Sequence, residues 1–219
     1  MAQAVEIREE AIGYRGRTVL RAVDFRIEPG ERVVIVGRSG AGKSTLLGRI
    51  YERASAESAL IPQSSALVGP LNVFHNVYMG RLDREPTWRN LVNLVWPLAP
   101  CLAEIRTILE IVDLRDQIFE KAGRLSGGQQ QRTSIARAMF NGRPILIGDE
   151  PVSALDRVQG ANLLQELARR HETLILALHD IPLALAIATR VMAIEGGRIA
   201  LDAPAAGLQS RDLAPFFES

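Results

Sequence analysis

Short runs of β-branched and aliphatic residues alternate along this chain with stretches whose apolar residues recur every three or four positions. The run at 32–36, RVVIV, is apolar at four successive positions, which is typical of a strand buried on both faces of a sheet. Comparable runs lie at 144–148 and 173–178. Because strands that alternate with helices favour a parallel sheet covered by helices, the pattern predicts an α/β fold.

The remaining elements follow from the same spacing and from the glycines and prolines that interrupt it. Gly13, Gly16 and the pair Pro29-Gly30 break the first apolar segments, which predicts two strands joined by turns. The other predicted strands and helices are strands at 3–10, 19–28, 59–62, 191–195 and 198–202, and helices at 44–54, from Gly127 to about Ala138, at 157–170 and from Pro182 onward.

A long stretch of helical spacing interrupts the alternation of strands and helices. It runs from about 71 to 120 and is clearest in LAEIRTILEIVDL, at 102–114. We therefore predict a helical subdomain at 71–140, inserted between residues 1–70 and 141–219 of a single domain.

Composition narrows the classes of protein that fit this pattern. The 26 basic and 25 acidic residues leave a net charge of +1. Because the chain as a whole has almost no electrostatic attraction for nucleic acid, we expect no nucleic-acid partner. A single cysteine, Cys101, excludes an intrachain disulfide and fits a reducing compartment, and its apolar neighbours predict burial. The apolar runs fall short of the roughly 20 residues that span a bilayer, and the first residues lack the apolar core of a secretory signal.

A glycine-rich segment between a predicted buried strand and a predicted helix carries the first chemical signal. Residues 37–44, GRSGAGKS, match the pattern G-x-x-x-x-G-K-[ST]. The glycines allow successive backbone N–H groups to point at one anion, and the following helix adds the positive end of its dipole. Lys43 would supply a charge to the β- and γ-phosphates, and Ser44 a hydroxyl ligand for Mg²⁺. The predicted phosphate-binding residues are Gly37, Arg38, Ser39, Gly40, Ala41, Gly42, Lys43, Ser44 and Thr45.

A second apolar strand, within ILIGDE at 145–150, ends in two acidic residues. Open α/β sheets bind ligands outside the carboxyl ends of their strands, so we expect Asp149 to hold Mg²⁺ at this edge. Adjacent residues at a strand end point in different directions, which leaves Glu150 free to face an attacking water as a base. The alternative is that Glu150 is a solvated loop acid.

The segment LSGGQ, at 125–129, lies at the predicted start of a helix. Ser126 is a favoured N-cap residue, and Gly127 and Gly128 allow a close approach to the backbone, so the segment predicts a second anion-binding helix terminus. One nucleotide does not need two such sites from one chain, which suggests that this loop serves a nucleotide held by another copy. The alternative is an ordinary helix cap.

Taken together, these segments resemble the ATP-binding subunits of ABC transporters, and the resemblance covers nearly the whole chain. GRSGAGKS is similar to their Walker A motif, ILIGDE to Walker B and LSGGQQQR to the signature motif, while SALD at 153–156 is similar to the D-loop. The resemblance also covers three single residues, which are similar to the Q-loop glutamine (Gln63), the switch histidine (His179) and the aromatic that stacks on adenine (Tyr14).

The resemblance implies a P-loop NTPase fold with a mostly parallel sheet, N-terminal antiparallel strands and an inserted helical subdomain. It also implies a head-to-tail dimer closing over two ATP molecules, each held between Lys43 of one copy and Ser126 of the other. Glu150 would polarise the attacking water, His179 would contact the γ-phosphate, and Gln63 would sense Mg²⁺ and the membrane partner. The further residues implied to contact nucleotide or metal are Tyr14, Ser44, Gly127, Gly128, Gln129, Asp149 and Asp156.

The implied partners are integral membrane permease subunits and, indirectly, a solute-binding protein, which would place the chain peripherally at the cytoplasmic face of the inner membrane. Residues 71–100 further resemble phosphonate-type importer subunits, which implies import of a phosphonate or a related small anion. Within that segment, apolar residues crowd a short span, either to receive a helix of the membrane subunit or to form the core of the subdomain. These residues are Trp88, Leu91, Val92, Leu94, Val95 and Trp96.

The sequence departs from the family pattern at two places. Only 20 positions separate Lys43 from Gln63, where the family inserts a small antiparallel β subdomain, so we expect that subdomain to be shortened and the phosphate site to stay intact. Arg157 follows SALD where proline is usual. Tyr14 and His179 also have structural alternatives, as a packed aromatic and a locally bonded strand-end histidine, and His75 and His171 carry no motif.

Three other functions fit part of the sequence. A soluble ABC ATPase acting on nucleic acid usually carries coiled-coil insertions or tandem cassettes, which 219 residues do not hold. A P-loop kinase would leave LSGGQ and His179 without a role. A regulatory subunit with weak hydrolysis is suggested by the shortened segment, but the presence of Lys43, Asp149 and Glu150 argues against it.

Overall fold

The computed structural model describes residues 4–14 and 16–217, with the backbone alone described at Tyr14. Two compact units divide these residues. The first unit contains the described residues through Gln63 and those from Arg143 onward, and the second unit is Ser64–Gly142.

The elements through β8 follow the order that the hydrophobic pattern predicts, and one short helix that was not predicted follows them. The strands are β1 Val5–Tyr14, β2 Arg17–Ile27, β3 Arg32–Val36, β4 Ser58–Ile61, β5 Ile145–Asp149, β6 Thr173–Ala177, β7 Arg190–Glu195 and β8 Arg198–Pro204. The α-helices are α1 Lys43–Ala54, α2 Val73–Tyr78, α3 Thr87–Val95, α4 Ala99–Ile111, α5 Gly127–Asn141, α6 Arg157–Arg170, α7 Ile181–Ile187 and α8 Ser210–Leu213.

The main sheet of the first unit has the order β4-β5-β6-β3-β7-β8, in which β8 alone runs antiparallel to its neighbour among the described strands. Every residue of β5 and β6 is buried, as expected for strands covered on both faces. The registers pair Ala177 with both Ile35 and Asp149. The carboxyl ends of β3, β5 and β6 therefore lie side by side at one edge of the sheet.

Strands β1 and β2 form a separate antiparallel pair. The prediction of a break at Gly13 is wrong, because β1 continues through this residue, which pairs with Thr18. A side chain at Gly13 would place its Cβ 2.1 Å from the carbonyl oxygen of Arg17, so glycine is needed here for close strand pairing rather than for a turn. Ile7, Leu20 and Phe25 of this pair pack into one core with α1 and the main sheet.

The predicted bounds hold closely where local signals are strong. Strand β3 and helix α6 match their predicted ranges to the residue, while α5 extends beyond the predicted end at Ala138 to Asn141. The helix ends there because Gly142 takes a left-handed conformation, with φ of 65°, that glycine adopts without steric cost.

The second unit is helical. Helices α2, α4 and α5 pack against one another, and the centroid of the Tyr78 ring lies 6.0 Å from that of Phe74 and 6.1 Å from that of Phe140. Cys101 is buried on α4, as predicted. None of the helices in the described ranges has the length and apolar character needed to cross a bilayer.

Helix α3 contributes a single buried residue, Asn93. Trp88 is 63% exposed and Trp96, directly after the helix, is 75% exposed. The alternative that these apolar residues form the core of the subdomain is therefore wrong. Leu91, Val92, Leu94 and Val95 are exposed as well. We call these four residues, together with Trp88 and Trp96, the α3 surface.

Candidate functional site

The phosphate-binding loop predicted at 37–44 connects the end of β3 with the start of α1. Gly37, Gly40 and Gly42 all have positive φ, which glycine tolerates and other residues rarely adopt. A side chain at Gly37 would also place its Cβ 2.8 Å from the carbonyl oxygen of Ile194. Gly42 is the N-cap of α1 and no described side chain caps this helix, so its first N–H groups remain available to an anion.

Lys43, the first residue of α1, is only 5% exposed. Its Nζ donates hydrogen bonds to the carbonyl oxygens of Gly37, at 2.6 Å, and Arg38, at 3.1 Å. Burial lowers the pKa of the ammonium below its ordinary value, and attraction to Glu150 and Asp149 partly opposes this effect. The loop thus holds a desolvated cation against its own backbone, where a phosphate could replace the two carbonyl contacts.

Asp149 is the last residue of β5 and is 7% exposed. Its Oδ1 atom is buried and has no hydrogen-bond partner among the described residues. An unpaired buried carboxylate oxygen is costly, so this acceptor fits a cation. Ser44 and Gln63, the other residues predicted to bind Mg²⁺, are exposed and line a cavity at the same sheet edge.

These oxygen donors suit Mg²⁺, which uses one or two protein ligands and completes its shell with water and phosphate oxygens. No group of three or more His, Cys, Asp or Glu residues able to hold a metal occurs in the described part of the chain. The donor set therefore fits a metal that arrives with a phosphate rather than one enclosed by the protein.

Glu150 follows β5 in a left-handed conformation, with φ of 53°, which is unusual for a residue other than glycine. Its N–H donates to the carbonyl oxygen of Ala177 at 3.1 Å, which ties it to the end of β6. Its Oε1 atom contacts Nε2 of His179, which lies two residues beyond the end of β6. Strained residues cluster at functional sites, and this one is held by the neighbouring strand.

A cavity of about 670 Å³ collects most of these groups at the carboxyl edge of the main sheet. The predicted site residues that line it are Arg38, Ser39, Gly40, Ala41, Gly42, Lys43, Ser44, Thr45, Gln63, Glu150 and His179. The lining residues that sequence reasoning missed are Arg17, Thr18, Val19, Ile194, Glu195, Gly196, Gly197 and Phe216. A Glu-Gly-Gly turn after a predicted strand was the only sequence signal for this second set.

Tyr14 and Asp156 are also predicted to contact the nucleotide, and neither is among the described residues that line the cavity. Tyr14 ends β1, and its side chain lies outside the described part of the chain. Asp156 is the N-cap of α6, where its Oδ1 accepts hydrogen bonds from the backbone N–H groups of Val158 and Gln159, both at 3.0 Å. Its contact with a nucleotide stays a prediction.

The signature segment lies in the second unit, where it starts α5. Ser126 is the N-cap, and its Oγ accepts from the N–H of Gln129 at 3.3 Å, while Oε1 of Gln129 accepts from the N–H of Ser126 at 3.0 Å. This reciprocal pair is a capping box, which confirms the predicted cap. Ser126 and Gly127 are exposed, so the helix terminus is open to a ligand from outside the chain.

His75 and His171, which carry no motif, make structural hydrogen bonds. Nε2 of His75 lies 3.2 Å from the carbonyl oxygen of Asn93. The buried His171 places Nδ1 2.7 Å from the carbonyl oxygen of Arg143. Both residues lie outside the set that lines the cavity.

Comparison with known proteins gives one consistent assignment. The family model described as "ABC transporter" matches residues 20–153. A protein of Pseudomonas aeruginosa named "Phosphonates import ATP-binding protein PhnC 1" is 36% identical over 87% of this chain and 81% of its own length. A protein of the same name from Cupriavidus metallidurans is 31% identical over 100% of this chain and 88% of its own length.

Solved structures agree in fold. A dimeric structure of MJ0796, a bacterial ABC transporter cassette, is similar with a TM-score of 0.78 at 24% identity, over 93% of this chain and 99% of that one. A bacterial Atm1-family ABC exporter with ATP bound has a TM-score of 0.77 at 27% identity, over 96% of this chain and 40% of that one. The resemblance and the fold class predicted from the motifs are confirmed, and the chain belongs to the ABC transporter family.

Proposed function

We propose that this chain hydrolyses ATP to power import of a phosphonate, or a related small anion, through a separate membrane permease. ATP hydrolysis is the activity of the ABC transporter family, so the chain is an ATPase. The proposed cargo rests on the relatives that are 31–38% identical over most of the chain and are named as phosphonate import ATP-binding proteins. The observation that carries the proposal is the juxtaposition of Lys43, Glu150 and His179 in one cavity.

The described residues can supply the main components of phosphoryl transfer. Lys43 and the N–H groups at the start of α1 would bind the β- and γ-phosphates. Mg²⁺, held by Ser44, Gln63 and Asp149, would supply positive charge to those phosphates. Glu150 would accept a proton from the attacking water, and its contact with His179 places the histidine beside the same oxygen.

Because Glu150 is fixed by β6 and His179 follows that strand, both groups are positioned before a nucleotide arrives. Phosphoryl transfer is accelerated mainly by such positioning and by stabilisation of charge. Residues 1–70 and 141–219 would act as the nucleotide-binding core, and 71–140 as the helical subdomain of the same cassette.

A second copy of the chain would complete each site. The exposed terminus of α5 at Ser126 offers backbone N–H groups to an anion, while one phosphate cradle already exists at Lys43. In a head-to-tail dimer, Ser126, Gly127, Gly128 and Gln129 of one copy would face the nucleotide held by the other. Dimeric structures of similar cassettes support this arrangement.

The α3 surface is the proposed contact with the permease. Its six apolar residues are exposed on one short helical segment, which is unusual for a surface that faces only water. An amphipathic helix of the membrane subunit would cover it and so hold the chain at the cytoplasmic face of the inner membrane. A solute-binding protein would act only through the permease.

The function is tested by deleting the gene and measuring growth with methylphosphonate or inorganic phosphate as the sole phosphorus source. We expect loss of growth on methylphosphonate alone, with rescue by the wild-type gene but not by Glu150→Gln. Unchanged growth and uptake would overturn the assignment of a phosphonate cargo. Absence of Mg²⁺-dependent ATP hydrolysis by the purified protein together with its permease would overturn the assignment as an ATPase.

A further inference from the structure

Part of the lining of the cavity that contains the phosphate-binding loop is apolar. Val19, Ile194 and Phe216 line it together with Lys43 and Ser44. Among the described lining residues, Phe216 is the only phenylalanine, tyrosine or tryptophan. A nucleoside triphosphate needs both kinds of surface, because its phosphates seek cations and N–H groups while its base seeks an apolar or aromatic face.

A folded segment places Phe216 at the cavity. The residue ends the 3₁₀ turn Ala214–Phe216, which directly follows α8 and packs against β7. Leu213, immediately before the turn, is fully buried. The start of α8 is fixed by Gln209, whose N–H donates to Oδ2 of Asp212 at 2.8 Å. The residues that precede Phe216 therefore hold its backbone in place beside the cavity.

We propose that Phe216 stacks on the base of the nucleotide bound in this cavity. The inference rests on the proposed function, and it adds a contact from a segment near the C-terminal end of the chain, far in sequence from Lys43. It is independent of Tyr14, whose side chain lies outside the described residues. Since every base has an aromatic face, stacking contributes affinity with little discrimination between bases.

The proposal is tested by equilibrium binding of two probes, ATP and inorganic tripolyphosphate, to wild-type protein and to Phe216→Ala. Tripolyphosphate carries the phosphate chain without a base. We expect the substitution to weaken ATP binding by about 5- to 100-fold and to leave tripolyphosphate binding unchanged. Phe216→Tyr should retain most of the affinity for ATP, while Phe216→Leu, which keeps an apolar side chain without the ring, should lose most of it.

The matched control is Phe217→Ala, which alters the adjacent aromatic residue that does not line the cavity. This variant should bind both probes like the wild type. Equal weakening of both probes by Phe216→Leu, or unchanged ATP affinity, would overturn the stacking proposal. Tighter ATP binding would also overturn it, because the ring would then occupy the place of the base.

Failure of the proposed function would be seen in the wild-type protein rather than in the variants. Wild-type protein that binds neither probe would overturn the ATPase assignment, and the stacking proposal with it. Wild-type protein that binds and hydrolyses ATP while Phe216→Leu keeps full affinity would overturn stacking alone.

Discussion

Arg157 directs two guanidinium nitrogens, Nε and Nη2, at one carboxylate oxygen of Asp180, at distances of 3.1 and 2.9 Å. Asp180 directly follows His179, and its other oxygen accepts from the N–H of Leu183 at 2.9 Å to cap α7. The ion pair therefore joins the start of α6 to the start of α7 beside the proposed γ-phosphate contact. Arg157, which stands where the family usually has proline, therefore forms an ion pair that proline could not form.

We predict that Arg157→Ala slows ATP turnover several-fold without a change in KM. The reason is that Asp180 loses a restraint next to His179, while the phosphate-binding loop is untouched. Because the arginine side chain is 68% exposed, the free energy of unfolding should fall by less than about 1 kcal/mol.

Steady-state kinetics and urea unfolding check both parts of this prediction. Arg170→Ala is the matched control, since it breaks a partly exposed pair with Glu166 at the other end of α6. Equal turnover by the two variants would show that the Arg157–Asp180 pair has no effect on the site.

Glu150→Gln should retain ATP binding and lose turnover by at least two orders of magnitude. The amide cannot accept the proton of the attacking water, and a loss of this size corresponds to roughly 3 kcal/mol of activation free energy. Phosphate release under saturating ATP is the measurement, and dimer formation with ATP should increase because hydrolysis is blocked.

Glu166→Gln provides a control for removing a carboxylate outside the cavity, where Glu166 pairs with arginines of its own helix. This variant should keep wild-type turnover. Wild-type turnover by Glu150→Gln would instead show that another group orients the water.

Replacing both Trp88 and Trp96 by alanine should uncouple hydrolysis from transport and leave basal hydrolysis unchanged. Both side chains are exposed on the α3 surface, so their removal should cost little folding stability while it removes apolar contact area for a permease helix. Substrate uptake per ATP hydrolysed, measured in cells or vesicles that contain the permease, is the relevant quantity.

Phe119→Ala offers a comparison in the same unit, because this side chain is exposed outside the α3 surface. It should leave coupling intact. If the double tryptophan variant transports as efficiently as this control, the permease does not dock on the α3 surface.

Stability should decline in acid because of His171. Burial lowers the pKa of this imidazole below its ordinary value of 6.5, the hydrogen bond to the carbonyl of Arg143 opposes the shift, and the charge of Arg170 adds to it. The unfolded chain then binds a proton more readily than the folded chain. The contribution of His171 to the free energy of unfolding is therefore lost as the pH falls from about 6.5 towards the lowered pKa of the folded state.

Urea unfolding at pH 8 and pH 5 tests this sign. His171→Asn, which keeps a donor for the carbonyl of Arg143, should lose less stability between the two pH values than the wild type. An unchanged pH dependence in this variant would assign the acid sensitivity to other groups.

Arg137 on α5 is expected to stabilise the second unit. Its guanidinium donates to the carbonyl oxygens of Ser65, at 3.0 Å, and Ala66, at 2.9 Å, and Ala66 has a left-handed φ of 46°. Arg137 is half-buried, and this burial lowers the pKa of its guanidinium below the ordinary value. Arg137→Ala should lower the free energy of unfolding by about 1–3 kcal/mol, measured by urea denaturation, because the partly buried carbonyl of Ser65 and the exposed carbonyl of Ala66 lose their donor.

Arg137→Lys should recover only part of the stability, since one ammonium does not reproduce the two-pronged contact. Full stability in the alanine variant would show that water satisfies both carbonyls.

Local signals account for the elements and motifs that the sequence determined by itself. The β-branched run of β3, the glycines and lysine of the following loop, and the Ser-Gly-Gly entry to α5 each act over a few residues. Strand propensity, left-handed backbone and helix capping are set mainly by neighbouring residues. For this reason the phosphate-binding loop, the acidic strand end and the cap at Ser126 could be predicted without coordinates.

Only the tertiary structure decided which of these segments meet. The order β4-β5-β6-β3-β7-β8 and its register bring Asp149, Ala177 and Ile35 into one row, and no local pattern specifies that pairing between strands far apart in sequence. The exposure of Trp88 and the arrival of Phe216 at the cavity are likewise set by long-range packing. Side-chain burial depends on what covers a face, and that depends on contacts between residues distant along the chain.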